Sequence, residues 1–103
     1  MAKVVIGSVA DFLENEPTKV ECALGTLCVI RTADGFRAVD DLCPHETASL
    51  SEGEYYDDTD ELECPLHAST FDCRSGEPTE PPATEAVKVY DVSVEGDSVT
   101  VAG

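Results

Sequence analysis

Two short segments constrain this chain more than anything else in it: Cys43-Pro44-His45 and, after eighteen intervening residues, Cys64-Pro65-Leu66-His67. Each offers one thiol and one imidazole, each has a proline directly after its cysteine, and His45 and His67 are the only histidines in the sequence. A reading as ordinary core histidines would have to place both beside a Cys-Pro by coincidence. The fold must therefore bring two loops together around one site, and the remaining residues read as the scaffold that holds them.

The mixed halves narrow the chemistry. A tetrahedral zinc ion can close on two thiolates and two imidazoles, but classical zinc fingers draw Cys and Cys from one half and His and His from the other. One Cys and one His per loop instead lets two facing loops present both thiolates to one metal and both imidazoles to a second. That segregation suits a two-iron, two-sulfide centre with soft ligands on one iron and nitrogens on the other.

The scaffold reads as all-β. Lys3 to Ala10 is a β-branched apolar run, Lys19 to Ala23 alternates, Thr26 to Thr32 is nearly continuous in apolar residues, and Phe36 to Val39 follows an Ala33-Asp34-Gly35 hairpin connection with Gly at positive φ. Pro17 ends the turn or short helical turn after Asp11. Four short strands in the first 40 residues predict an antiparallel β-sandwich or barrel. From Asp41 to Glu61 the alternation weakens and single hydrophobes (Leu42, Leu50, Tyr55, Tyr56) punctuate acidic sequence, as expected where a bound inorganic centre replaces part of a core. Gly53 to Tyr56, Leu62 to Cys64 and Thr70 to Cys73 read as short strands, and Val87 to Val94 with Ser98 to Val101 as a final hairpin around Glu95-Gly96-Asp97. The expected organisation is a single domain over residues 1–103, with a cluster-binding subdomain at 41–83 inserted in a β scaffold made of 3–40 and 84–101.

Charge limits the partners. With 22 acidic and 6 basic residues, a net charge of −16, the chain repels nucleic-acid phosphates and anionic lipid and suits a protein with a basic docking patch. Ten of the acids fall between Asp40 and Glu63, where there is no Lys or Arg. Two causes compete, partner docking and a surface tuned to high salt. No run of eighteen apolar residues and no secretory signal is visible, so a cytoplasmic location and no membrane partner are expected. Of the five cysteines, Cys22 and Cys28 lie in apolar strand sequence and read as small buried hydrophobes. A disulfide between them is sterically conceivable across a hairpin, but reducing conditions oppose it.

With these residues in view, the chain resembles the Rieske-type [2Fe-2S] ferredoxins, whose pattern is C-x-H, a spacer, then C-x-x-H. The resemblance runs through Cys43-Pro-His45, Leu50-Ser-Glu-Gly53, Leu62-Glu-Cys-Pro-Leu-His67, Phe71-Asp72, Arg74-Ser-Gly76 and the prolines Pro78, Pro81 and Pro82. It implies a Rieske fold with one [2Fe-2S] cluster, Cys43 and Cys64 on the inner, permanently ferric iron, and His45 and His67 on the outer iron that takes the electron. It further implies that Gly53 is a turn glycine and that the proline stretch lies over the cluster. Ala48 and Leu66 stand where high-potential respiratory members carry a bracing disulfide, and Phe71 replaces their tyrosine donor, while Ser69 matches their serine donor. A low potential is therefore expected. Ala68 stands where glycine is usual. Cys73 matches no family ligand and reads as a strand residue packed behind Phe71.

The full ligand set leaves no open position for oxygen, and no hydrolase-like pairing uses the two histidines. The resemblance implies not an enzyme but a one-electron carrier, monomeric when free, between a flavin-dependent ferredoxin reductase and a terminal ring-hydroxylating oxygenase. The other readings are a small Rieske-like subunit of a nitrite reductase and, from a different class, a structural zinc module.

Overall fold

The computed structural model describes residues 3–43, 48–66, 69–79 and 85–102. Nine strands and two 3₁₀ turns make up the regular structure among them. β1 (Lys3–Ser8), β2 (Thr18–Cys22), β3 (Gly25–Thr32), β4 (Gly35–Asp40), β8 (Val89–Glu95) and β9 (Ser98–Ala102) form one antiparallel sheet in the order β1-β9-β8-β4-β3-β2. β5 (Glu54–Tyr56), β6 (Glu61–Glu63) and β7 (Thr70–Asp72) form a second in chain order. The larger sheet folds over on itself, because only two residue pairs, Ala38 with Tyr90 and Val39 with Val89, join its halves.

β3 explains how the layers stack. A strand with one solvated face alternates, yet Leu27, Cys28, Val29 and Ile30 are all fully buried. Leu27 and Val29 point into the sandwich core with Phe12, Tyr90, Val99 and Val101. Cys28 and Ile30 point the other way, into a second core with Leu50, Leu62, Phe71 and Val87. β4 divides similarly, with Ala38 on the sandwich side and Val39 on the other. The apolar run at 26–32 is thus a wall between two cores. Each fully buried side chain of this kind adds about 1.5–3 kcal/mol.

The differences from the expected elements have local causes. β1 stops at Ser8 rather than Ala10, because its register against β9 slips between Val5 and Gly7 and Val9–Asp11 turns into a 3₁₀ segment. Asp11 Oδ2 accepts the Ser8 N–H at 2.9 Å, satisfying an end of that turn. The last hairpin begins at Val89 and not Val87, since the Val87 N–H is already donated to the Gly76 carbonyl at 2.9 Å. Cys22 and Cys28 fall in opposite cores and form no disulfide. Of the isolated hydrophobes, Leu50 and Tyr55 turn inward, whereas Leu42 and Tyr56 face solvent.

The small sheet has one apolar and one acidic face. Tyr55, Leu62 and Phe71 line up across its inner side. On the outer side Glu54 is opposite Glu63 and Glu61 is opposite Asp72. Like charges paired directly across strands oppose each other. Its inner face therefore supplies the net attraction that holds the sheet in place.

Candidate metal centre

Cys43 and Cys64 enter the same core. Each is about 2% exposed or less, and both pack with Cys28, Ile30, Val39, Leu50 and Leu62. The chain positions them by the same device twice. The Cys43 N–H donates to the Ala48 carbonyl at 3.0 Å, and the Cys64 N–H donates to the Ser69 carbonyl at 2.7 Å. Each cysteine therefore opens a loop that its own amide closes five residues later. One loop sequence contains His45 and the other His67. Both histidines lie outside the described residues, as do Glu46, Ala68, Pro81 and Pro82.

The first loop is anchored by Asp41, a buried carboxylate. Its backbone N–H donates to the Thr26 carbonyl at 3.0 Å, its carbonyl accepts the Leu50 N–H at 2.7 Å, and its Oδ1 accepts the Ser51 N–H at 2.8 Å. These contacts tie the approach to Cys43 both to β3 and to the 3₁₀ turn Leu50–Glu52. The second loop springs from β6 and returns as β7, so pairing of Glu63 with Thr70 fixes its base. Beyond β7 the chain stays attached: the Thr79 N–H donates to the Thr70 carbonyl at 2.7 Å, and Pro78 bridges to Phe71.

Gly53 closes the 3₁₀ turn Leu50–Glu52, its N–H donated to the Leu50 carbonyl at 3.0 Å. Its φ of −89° suits any residue. What excludes a side chain is proximity, since a Cβ there would lie 1.8 Å from the Glu63 carbonyl oxygen. Gly76 has both reasons, a φ of +81° and a Cβ position 2.1 Å from the Val87 carbonyl oxygen.

The other two buried thiols have no histidine beside them in the sequence. Cys73 packs with Phe71 in the same core, and burial, then Asp60 and Asp72, pushes its pKa up to about 12. Burial also raises the Cys28 thiol, with Asp41 and Cys73 adding to it. Both stay protonated near neutral pH, and a thiol rather than a thiolate is a poor nucleophile.

Asp60, in the acidic run between β5 and β6, carries no mark in the sequence that singles it out. It is buried, at φ +59°, and its Oδ2 accepts the Arg37 Nε–H at 2.9 Å and forms an ion pair with Arg74, whose Nε is 2.9 Å away. Its Oδ1 accepts the Tyr55 hydroxyl at 2.6 Å, and its carbonyl accepts the Cys73 N–H at 2.9 Å. Burial and this contact with Asp60 raise the Tyr55 pKa.

The donor set fits a [2Fe-2S] cluster on the thiolate side. Two cysteines share one water-poor core, open matched loops, and are accompanied in those loops by the two histidines of the sequence. Comparison with known proteins agrees. Residues 2–91 match the Rieske [2Fe-2S] domain model. The anthranilate 1,2-dioxygenase ferredoxin subunit of Burkholderia cepacia is 38% identical over 96 residues, spanning 93% of this chain and 87% of that protein. The ferredoxin of carbazole 1,9a-dioxygenase from Nocardioides aromaticivorans IC177 superposes with a TM-score of 0.94 at 33% identity, over 99% of this chain and 98% of that one. A ferredoxin solved in complex with the reduced oxygenase of carbazole 1,9a-dioxygenase gives 0.87 at 33% identity, over 96% and 100%. The chain belongs to the Rieske [2Fe-2S] domain family, and within it is a ferredoxin that carries one such cluster and transfers electrons rather than an enzyme.

Proposed function

We propose that this ferredoxin holds its cluster through Cys43, His45, Cys64 and His67 and shuttles single electrons from a flavin-dependent reductase to a terminal ring-hydroxylating oxygenase. When bound, the cluster supplies a one-electron couple. The burial of Cys43 and Cys64 in one core, at the mouths of two identically closed loops, is the observation that carries the ligand assignment. In this reading the chain's own part is to exclude water from the thiolates and leave the histidine side open to partners. Residues 41–83 act as the cluster-binding subdomain and 3–40 with 84–101 as the scaffold.

The partner assignment draws on the relatives, which are named as dioxygenase ferredoxins, one of them complexed with its oxygenase. Leu42, beside Cys43, and Leu66, two residues after Cys64, are 61% and 56% exposed and offer apolar contacts to a partner. Basic patches on reductase and oxygenase would meet that acidity, with the carrier monomeric between encounters and working in the cytoplasm. Among the described residues no helix is long and apolar enough to cross a membrane.

The experiment is optical and low-temperature EPR spectroscopy before and after dithionite, with iron and zinc quantified on the same sample. Two irons per chain and a rhombic signal on reduction support the assignment, and Cys64→Ala abolishes both. A colourless protein with zinc alone returns the four ligands to a structural role. A redox titration completes the test: a midpoint above about +150 mV, in the upper part of the range for such centres, refutes a low-potential carrier.

A further inference from the structure

β4 and β6 each lead to a cysteine. Arg37 and Val39 alternate on β4, and the chain reaches Cys43 three residues past the end of that strand at Asp40. Asp60, at φ +59°, directly precedes β6, where Leu62 faces inward and Glu61 and Glu63 outward, and Cys64 directly follows it. Val39 and Leu62 pack in the same core as the two cysteines. The ion pair thus joins the starts of two segments, 37–43 and 60–64, whose far ends carry the two thiols.

We propose that the Arg37–Asp60 pair is a positioning clamp that sets the spacing of Cys43 and Cys64. This rests on their assignment as cluster ligands. No strand of the small sheet pairs with a strand of the larger one, so its contact with β4 is made by side chains. Apolar packing resists separation but permits sliding, whereas a directed guanidinium–carboxylate contact fixes register. The Arg37 side chain is 19% exposed and that of Asp60 11%, so the contact is little screened and removing either partner leaves a charge largely out of water. Arg74 is 70% exposed and plays the lesser part. Tyr55 completes the grip on the carboxylate, and the Cys73 N–H, one residue past β7, donates to the Asp60 backbone carbonyl, so β4, β5 and the chain after β7 all meet at this residue.

The test compares the iron-loaded wild type with Asp60→Asn, Arg37→Gln and the double variant, and with Val99→Ala as a control that weakens the sandwich core alone. Iron release to a chelator is followed at a fixed interval below each protein's melting temperature, and the reduced EPR signal is recorded. Asp60→Asn and Arg37→Gln are each expected to release iron about tenfold faster or more, the range found when supporting residues of a metal site are lost. They should also broaden or shift the rhombic signal, and the double variant should match the singles. Release at the Val99→Ala rate with an unchanged signal, or fully multiplicative effects in the double variant, overturns the clamp. Should Asp60→Asn fail to fold, Arg37→Lys takes its place, with faster release supporting the clamp and release at the control rate refuting it. A wild type that binds no iron would refute the ligand assignment itself, a result distinct from loss of the clamp alone.

Discussion

Gly53→Ala is the sharpest test of how the fold supports the ligands. The new methyl carbon would fall 1.8 Å from the Glu63 carbonyl oxygen and 3.3 Å from that of Leu50. Reaching even the 3.0 Å that real Cβ contacts respect requires a retreat of 1.2 Å, the difference between 3.0 and 1.8. Both clashing groups are backbone, so no rotamer change can absorb it. Overpacking ordinarily costs about 1–3 kcal/mol, and a clash without side-chain relief belongs at the upper end, about 3 kcal/mol. For a domain of this size that lowers the melting temperature by about 12 °C or more. Glu63 directly precedes Cys64, so the displacement also reaches a proposed ligand. Thermal unfolding followed by far-UV circular dichroism and by cluster absorbance is the assay, with loss of colour expected before loss of strand signal. A drop below about 4 °C, equivalent to under 1 kcal/mol, would show that the close approach does not constrain position 53.

Four further outcomes follow from the same geometry. Cys73→Ala should retain wild-type iron content, and Cys73 in the native protein should resist alkylation, since burial keeps its thiol protonated; iron analysis and mass spectrometry after iodoacetamide check both. Alkali should weaken the fold: burial and then its hydrogen bond to Asp40 push the Tyr90 pKa up to about 12 from 10.0. The folded state thus retains a proton that the unfolded state loses, so this contribution is complete below pH 10 and lost toward pH 12. Denaturant melts across that window should fall less steeply for Tyr90→Phe. Electron transfer to a basic partner should slow as salt is raised, by screening of attraction, and stopped-flow rates that do not depend on ionic strength would exclude docking as the purpose of the acidity. In the free protein the same salt should relieve the Glu54–Glu63 and Glu61–Asp72 repulsions and raise melting temperature.

What the sequence disclosed depended on whether the cause was local. The strands around Thr26 to Val39 were legible because apolar pattern and the Ala33-Asp34-Gly35 turn are written in adjacent residues. Cys43 and Cys64 stood out because thiols beside imidazoles are rare chemistry. Gly53 was legible as a turn glycine through the resemblance, but what excludes a side chain there was not, since that constraint comes from Glu63, ten residues away and paired with Glu54. Asp60 was hidden in Asp57-Asp58-Thr59-Asp60-Glu61, where nothing in composition separates the one buried carboxylate from its solvated neighbours. The early end of β1 and late start of β8 likewise depend on a register slip and on the Gly76 carbonyl, both products of distant pairing.

β3 has a consequence for how such a protein can vary. Adjacent positions along it answer to different masters: 27 and 29 to the sandwich, 28 and 30 to the side that holds the thiols. Substitutions at the odd positions would change how long the molecule survives heat while leaving the colour and potential of its centre alone. At the even positions, equally small changes would alter the dielectric and shape of the environment in which the electron rests. Durability and redox character are thus interleaved along a single strand, one residue apart, and can be adjusted separately.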